Sequence, residues 1–332
     1  MARAVRVVQF QRRAVGGFSV ERLFADVRSA LPADVSVELR TNHFPSRGLL
    51  GRAVDALLAR RRRGEVNHIL GDVHYLAWFL PRKRTVVTVL DCVSLERLRG
   101  ARRAALWLLW YWLPLQHADH VTVISEYTRE ALLGWVRYPP DRIHVIRPPV
   151  SNEFKPWPAP RRGERLRLLH VGTGPHKNLR RVIEAARPLP VTLVIIGKLD
   201  AATEDALAGI PHENHYNLTR AEIVEQYRLA DALVFASTYE GWGLPIIEAQ
   251  ATGRPVITSS VCSMPEAAGG AAIIVDPTDV NAIRAAILRI IDDPDFARAL
   301  VHRGFENAAL YAADRVAAQY ADLYRTISAA NS

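Results

Sequence analysis

Two glutamates, Glu240 and Glu248, stand eight positions apart in the run YEGWGLPIIEAQATGRPVI (239–257), with Gly241, Gly243 and Pro245 between them. The preceding LVFAS (233–237) reads as a strand, and Pro245 suits the first turn of a helix, where its missing N–H costs nothing. The intervening loop then lies at the carboxyl end of a parallel strand and the amino end of a helix. There, open α/β sheets bind ligands and free N–H groups attract phosphate. Gly241 and Gly243 let the backbone approach an anion closely. A carboxylate beside phosphate is repulsive unless it accepts hydrogen bonds from neutral hydroxyls. A ribose diol would satisfy Glu248 in this way, and a sugar ring would satisfy Glu240. The plainer alternative has Glu248 capping the first helical turn and Glu240 in solvent.

The run Glu240–Glu248 resembles the E-x7-E signature of the retaining, GT-B-fold glycosyltransferases of glycosyltransferase family 4. The similarity continues through Gly253, Pro255, Pro265-Glu266 and Val275-Asp276-Pro277. Upstream it takes in ADALVFAS (230–237), VGTGPHKNL (171–179) and VISEYTR (123–129). It covers most of residues 66–330 and is densest from 168 to 280.

That resemblance implies roles by position. Glu248 would bind the ribose hydroxyls of a nucleotide-sugar, and Glu240 would contact the donor sugar near the reacting centre. The N–H groups at Gly243 and Leu244 would face the diphosphate or sugar, with Gly241, Trp242, Gly172 and Thr173 completing the donor site. Lys177 would neutralise the diphosphate as it leaves. Gly16 and Gly17, after the first strand, would bring further N–H groups to the donor, and Tyr216 and Leu218 would flank its base. Asp91 would act as a catalytic group on the acceptor side; a helix N-cap explains the same residue. Two positions depart from the family. Thr173 and Gly174 occupy the loop where an arginine is usual, leaving His176, Arg180 and Arg181 as open substitutes. Leu90 stands where many members have a histidine, and His74 either takes part of that work or is a buried structural histidine.

The implied reaction is transfer of a sugar from a nucleotide-diphosphate donor to an acceptor hydroxyl with retention of configuration. It would need neither a metal nor a cofactor, Lys177 and helix ends replacing a cation. The segment SMPEAAGGAA from Ser263 is similar to bacterial surface-polysaccharide mannosyltransferases. This implies GDP-mannose as donor, with a UDP-hexose second, and a saccharide or lipid-linked acceptor. A nucleotide-sugar epimerase of the same fold and a degenerate, non-catalytic subunit are the alternatives. Other chemistries lack their motifs: no Gly-x-Gly-x-x-Gly follows the first strand, and there is no Walker lysine loop or Gly-x-Ser-x-Gly elbow. His117-x-x-His120 and His212-x-x-His215 have no clustered third ligand, so no metal is expected there.

The elements that must hold these residues alternate in type. VRVVQF, VSVEL, VNHIL, TVVTVLD and VTVIS read as strands separated by helix-length segments. The stretch 144–163 holds five prolines and reads as a linker. After it come LRLLHVG, VTLVIIG, ALVFAS and PVITS, again with helical segments between. Short apolar strands alternating with helices imply parallel sheets covered on both faces. The expected fold is therefore α/β, two Rossmann-like domains facing a cleft: an acceptor-side domain over 1–150, a linker over 151–163 and a nucleotide-sugar domain over 164–310. A helix over 311–332 would cross back toward the first domain.

Charge divides along the same line. Residues 1–150 hold 24 Lys and Arg against 13 Asp and Glu, a net of +11, whereas residues 151–332 hold 19 against 21, a net of −2. An anionic partner is therefore expected for the first half alone. Arg60–Arg63, Arg82-Lys83-Arg84 and Arg97–Arg103 flank apolar and aromatic runs, the pattern of a membrane interface, and no nucleic-acid motif accompanies them. The most apolar run, AALWLLWYWLPL (104–115), is well short of the roughly 20 residues of a membrane span. With two cysteines and no apolar signal run at the N-terminus, the reading is a cytoplasmic protein, peripheral on the membrane face.

Overall fold

Val66–Leu70 and Thr85–Val89 are buried at every position, the mark of strands covered on both faces, which parallel sheets flanked by helices provide. A computed structural model describes residues 4–13, 19–44, 49–158 and 163–331 and divides the chain into two units. One comprises Met1–Pro149 with Ala313–Ser332, the other Val150–Ala312.

The first unit is built on β1 (Val5–Gln11), β2 (Val35–Thr41), β3 (Val66–Leu70), β4 (Thr85–Val89), β5 (His120–Val123) and β6 (Ile143–Val145). They form one parallel sheet in the order β2-β1-β3-β4-β5-β6. The second unit carries β7 (Leu166–Val171), β8 (Val191–Ile196), β9 (His212–His215), β10 (Ala232–Phe235), β11 (Val256–Ser259) and β12 (Ile273–Val275). These are also all parallel, in the order β12-β11-β10-β7-β8-β9. Both units are thus the Rossmann-like α/β sheets expected. In the second, the chain runs outward from β7 to β9 and then returns to the other side of β7 as β10. Connections leaving β7 and β10 therefore diverge, which opens a crevice at their carboxyl ends. In the first sheet the same reversal falls between β1 and β3.

Three strands were not legible in advance. β6 lies at the start of the proline-rich stretch, and β9 is the polar sequence His-Glu-Asn-His on an edge. β12 is only three residues long.

The helix Ala313–Ala329 belongs to the first unit. Its Val316, Tyr320, Tyr324 and Ile327 share one core with Val7, Phe24, Val27 and Val86. A buried polar chain crosses the same core. Arg28 donates to Gln9 Oε1 (2.9 Å), and Gln9 Nε2 donates to the Tyr324 hydroxyl (3.2 Å). That hydroxyl meets His68 Nδ1 (2.7 Å), His68 Nε2 meets Thr88 Oγ1 (2.6 Å), and Thr88 meets Thr122 (2.7 Å). The linked side chains of this network thereby find partners, without which their burial would be costly.

The apolar run 104–115 is not one regular helix. An α-helix Gly100–Leu106 passes into a π-helical turn Trp107–Trp112 and then a short helix Leu113–Gln116. Pro114 has no N–H to return to the carbonyl of Trp110 four residues back, and His74 Nδ1 takes that carbonyl at 2.7 Å. Tyr111 and Leu115 face the core, whereas Leu108, Leu109 and Trp112 are exposed. Among the described residues no helix is long and apolar enough to cross a membrane.

Candidate functional site

The crevice of the second unit gathers the sequence-predicted residues from two loops. After β10, the chain turns through Glu240 into the helix Leu244–Thr252, entered at Gly243 with φ +107°. A side chain at that φ is strained, and a Cβ there would also stand 3.0 Å from Ile246 Cδ1. Pro245 occupies the second helical position. Among the described residues no side chain caps this helix, so the N–H groups around Gly243 and Leu244 are the donors it offers.

After β7 the second loop runs through Gly172 (φ +94°) to Lys177. A Cβ on Gly172 would lie 2.8 Å from Lys177 Cε, so the lysine stem passes directly over this glycine. Its Nζ reaches Glu240 Oε1 at 2.7 Å and sits 4.7 Å from the centre of the Phe235 ring. Both partners are largely sheltered, with side chains 18% and 14% exposed. The site's cation and one of its carboxylates are therefore brought together, each neutralising the other. Thr173 lies beside them, its hydroxyl donating to the Lys198 carbonyl (2.7 Å).

Glu248 is the fifth residue of its helix, and its carboxylate accepts the Tyr227 hydroxyl at 2.6 Å. Tyr227 comes from the neighbouring helix Arg220–Leu229 and is fully buried. Burial first, and then the charge of Glu248, push its phenol well above the usual range, so it stays a proton donor to the carboxylate.

Three positioning residues escaped sequence reasoning. Tyr227 is the first. Asn178 is the second: in a left-handed conformation (φ 61°), it donates to the carbonyls of Ala236 (2.9 Å) and Pro277 (2.7 Å). It thereby pins the β7 loop to the ends of β10 and β12. Ser263 is the third, its buried hydroxyl standing 2.9 Å from the carbonyls of both Glu240 and Trp242. The β7 and β10 loops are joined once more by Thr238 N–H donating to the His176 carbonyl (2.8 Å).

Other expected donor-site residues distribute differently. The Trp242 side chain is 3% exposed and meets the Tyr311 ring edge-on at 5.2 Å, so it serves the core rather than presenting its indole at the surface. Tyr216 and Leu218 follow the edge strand β9, with Tyr216 58% exposed. Of the substitutes considered for the missing arginine, Arg181 donates to Asn178 Oδ1 (2.9 Å), and the His176 ring folds over Gly174. Gly16 and Gly17 lie outside the described residues.

The first unit holds a cavity of about 270 Å³ at the carboxyl ends of β3 and β4. Asp72, His74, Asp91, Ser94, Trp110 and Tyr111 are in its wall, together with Leu90. Asp91 Oδ1 accepts the N–H of Val93 (3.0 Å), the first residue of the helix Val93–Arg97, and its carbonyl accepts the Tyr111 hydroxyl (3.1 Å). Asp91 lines the cavity and holds the first N–H of this helix, whose N-cap is the next residue, Cys92, rather than Asp91. His74 is buried, with Nδ1 on the Trp110 carbonyl and Nε2 3.2 Å from that of Thr88, and burial lowers its pKa. A neutral ring has a single N–H, and both carbonyls facing the nitrogens are backbone acceptors, which fits the structural reading. Elsewhere in the unit His120 stacks on His144 across β5 and β6. Among the described residues no three His, Cys, Asp or Glu side chains are grouped to hold a metal.

The chain is similar to known proteins in sequence and in fold. A family model described as glycosyl transferases group 1 matches residues 151–307, and one described as glycosyltransferase family 4 matches residues 17–154. An O-antigen chain mannosyltransferase B of Escherichia coli is 27% identical over 244 residues, which are 64% of this chain and 62% of that protein. The chain thus spans about three-fifths of the length of that relative. Among solved structures, the sucrose-phosphate synthase of Thermosynechococcus elongatus superposes with a TM-score of 0.81 at 19% identity, covering 98% of this chain and all (100%) of that one. The Anabaena protein Alr3699/HepE, in a crystal structure with UDP-glucose, gives 0.77 at 16% identity over 97% of this chain and 100% of its own.

Proposed function

The chain belongs to the GT-B glycosyltransferases of the family 4 type, and from that premise we propose that it moves a hexose from a nucleotide-diphosphate sugar to an acceptor hydroxyl with retention of configuration. GDP-mannose is the first donor to try and a UDP-hexose the second; the mannosyltransferase relative supports the former and the UDP-glucose complex of the Anabaena neighbour the latter. The observation that carries this reading is the Lys177–Glu240 pair at 2.7 Å where the sheet order reverses. A diphosphate entering there competes for the ammonium, and the released Glu240 gains the sugar hydroxyls as partners. Glu248, already oriented by Tyr227, accepts the ribose hydroxyls. As the bond to the anomeric carbon breaks, charge grows on the leaving diphosphate, where Lys177 and the N–H groups near Gly243 stabilise it. The same diphosphate takes the proton of the incoming acceptor hydroxyl, so the step needs neither a side-chain base nor a metal. Turnover of a donor panel by the purified protein, with the product's anomeric configuration read by NMR and EDTA present in one arm, tests each part. No turnover with any donor, inversion, or a strict cation requirement would each overturn its part.

The setting proposed for this reaction, in bacterial surface-polysaccharide or glycolipid synthesis, is a cytoplasmic protein resting on an anionic membrane face through its first unit. The helix Leu49–Arg61 supports it, because its outward face is apolar: Leu50, Val54 and Leu57 are 86%, 43% and 57% exposed. Arg60 and Arg61 continue that face, and a 3-10 turn bearing exposed Trp78 and Phe79 packs beside the helix. Apolar side chains bordered by arginines match the interior and headgroups of an anionic bilayer surface, each arginine contributing on the order of 1 kcal/mol. Co-sedimentation with vesicles should rise with anionic lipid, fall with salt and drop for Leu50→Glu/Leu57→Glu. Indifference to lipid charge would leave an exposed apolar helix with another purpose.

A further inference from the structure

Arg254 is among the largest side chains that the fold buries, only 2% exposed, and it stands just beyond the helix Leu244–Thr252 that carries Glu248. A guanidinium out of water needs its donors filled. Here Nε donates to the Tyr227 carbonyl (3.0 Å), and Nη2 donates to the carbonyls of Trp157 (3.3 Å) and Pro158 (2.9 Å). Asp231 is near enough to offset part of the charge. The planar fork thus joins two stretches of backbone. One lies on the helix Arg220–Leu229, and the other is the segment 151–158 with which the second unit begins.

That segment is fastened to the same helix along its length. Glu153 pairs with Arg220 at the helix start (2.7 Å), and the Phe154 ring meets the Tyr227 ring edge-on at 5.2 Å. The Arg228 guanidinium lies 4.3 Å from the centre of the Trp157 ring, and the Trp157 N–H donates to the Thr252 carbonyl (3.3 Å). These contacts converge on Tyr227: its ring meets Phe154, its carbonyl meets Arg254 and its hydroxyl meets Glu248. A phenol hydroxyl is aimed by its ring and its backbone alone. Whatever fixes those two sets where the Glu248 carboxylate is held.

Resting on the reading in which Glu248 binds the ribose, we propose that Arg254 is a positioning residue for the nucleotide. Acting through Tyr227, it keeps the Glu248 carboxylate oriented to accept the ribose hydroxyls. It also makes nucleotide binding and the docking of segment 151–158 depend on each other, because coupling between two binding events is reciprocal. A simple tether would stabilise the fold and leave the affinity of the folded protein unchanged.

Calorimetric titration of GDP and UDP into the full chain separates the two roles. Arg254→Lys keeps the charge and gives up the fork. It should weaken nucleoside diphosphate binding about threefold, as Tyr227→Phe does. The double variant should bind no more weakly than Tyr227→Phe alone, whereas independent contributions would multiply to about ninefold. In the wild type, saturating nucleotide should slow hydrogen exchange at the Phe154 and Trp157 amides about threefold, and in Tyr227→Phe it should not. Should Arg254→Lys fail to melt cooperatively, Phe154→Leu is read in its place, since it keeps apolar volume and removes the ring edge from Tyr227. Wild-type affinity in the folded variant, or multiplied losses in the double variant, would overturn the inference. If Glu248→Ala still weakens binding in that case, the ribose role stands without it. A Glu248→Ala protein with wild-type affinity, or a wild type that binds neither nucleotide, would sink the underlying reading and the inference together.

Discussion

The loops of the second unit and the cavity of the first occupy the same place, the carboxyl ends of central strands in a parallel sheet, yet they are built differently. In the second unit, charge is matched before any ligand arrives: Lys177 holds Glu240, and Tyr227 holds Glu248. Asn178 and Ser263 then tie the loops that carry them. In the first unit, the cavity wall carries Asp72, paired with Arg12, and Asp91, whose carboxylate accepts a backbone N–H at the start of a helix. Topology thus supplies a location and nothing more. The side chains at the strand ends decide what a ligand meets there.

The comparison breaks most visibly at Lys177. Lys177→Ala should lower kcat by about a hundredfold or more, the usual cost of removing one donor from a developing anion, with a smaller change in donor KM. An unaltered kcat would remove the electrostatic role. Next in size, Glu248→Ala should weaken nucleoside diphosphate binding by about tenfold or more. Two hydrogen bonds to a charged acceptor are lost, each contributing about 1.5–3 kcal/mol. Calorimetry giving wild-type affinity in a folded variant would reject the ribose assignment. Tyr227→Phe sharpens the same point at lower amplitude: the carboxylate remains and only its orienting bond goes, so affinity should fall by about threefold.

Acid should separate the units by the smallest margin. Burial holds His68 at about 3 and His170 at about 4, and it lowers His74, His120 and His144 as well. On unfolding each regains a value near 6.5. Below about 6.5, and down to the folded values, the unfolded chain binds more protons, so stability falls as pH falls. Four of these five histidines lie in the first unit. Hydrogen exchange at pH 5 against pH 7 should therefore show greater loss of protection there, with an overall Tm lower by several degrees. Equal loss in both units would show that these imidazoles do not set the acid response.

How much of this was legible in the sequence depended on how far apart the partners lie. Glu240, Gly243 and Glu248 occupy one short run whose spacing is itself a pattern, and Lys177 follows a recognisable strand and glycine. Tyr227 is 21 residues from Glu248, and Asn178 is 58 and 99 from the carbonyls it holds. No local rule announces such pairs. Trp242 sits inside the most readable motif and still points into the core, because a loop fixed by backbone contacts is free to turn a large side chain inward. The strand β9 carries no apolar residue, since an edge strand has less to bury. The π-helical turn is readable only in hindsight, from Pro114 and the carbonyl it leaves for His74.

The helix Ala313–Ala329 completes the core of the first unit although all of the second unit lies between them in the chain. Proteins are made from one end to the other, and domains usually close in that order. Here a nascent chain that has reached Ala312 already has every residue of the second unit, while the first still lacks Tyr320, Tyr324 and Ile327 and leaves His68 without its phenol partner. The unit begun first is finished last. On the ribosome, the cavity and the apolar face of the helix Leu49–Arg61 would then sit on a scaffold that lacks part of its core until the final turns of the helix Ala313–Ala329 emerge.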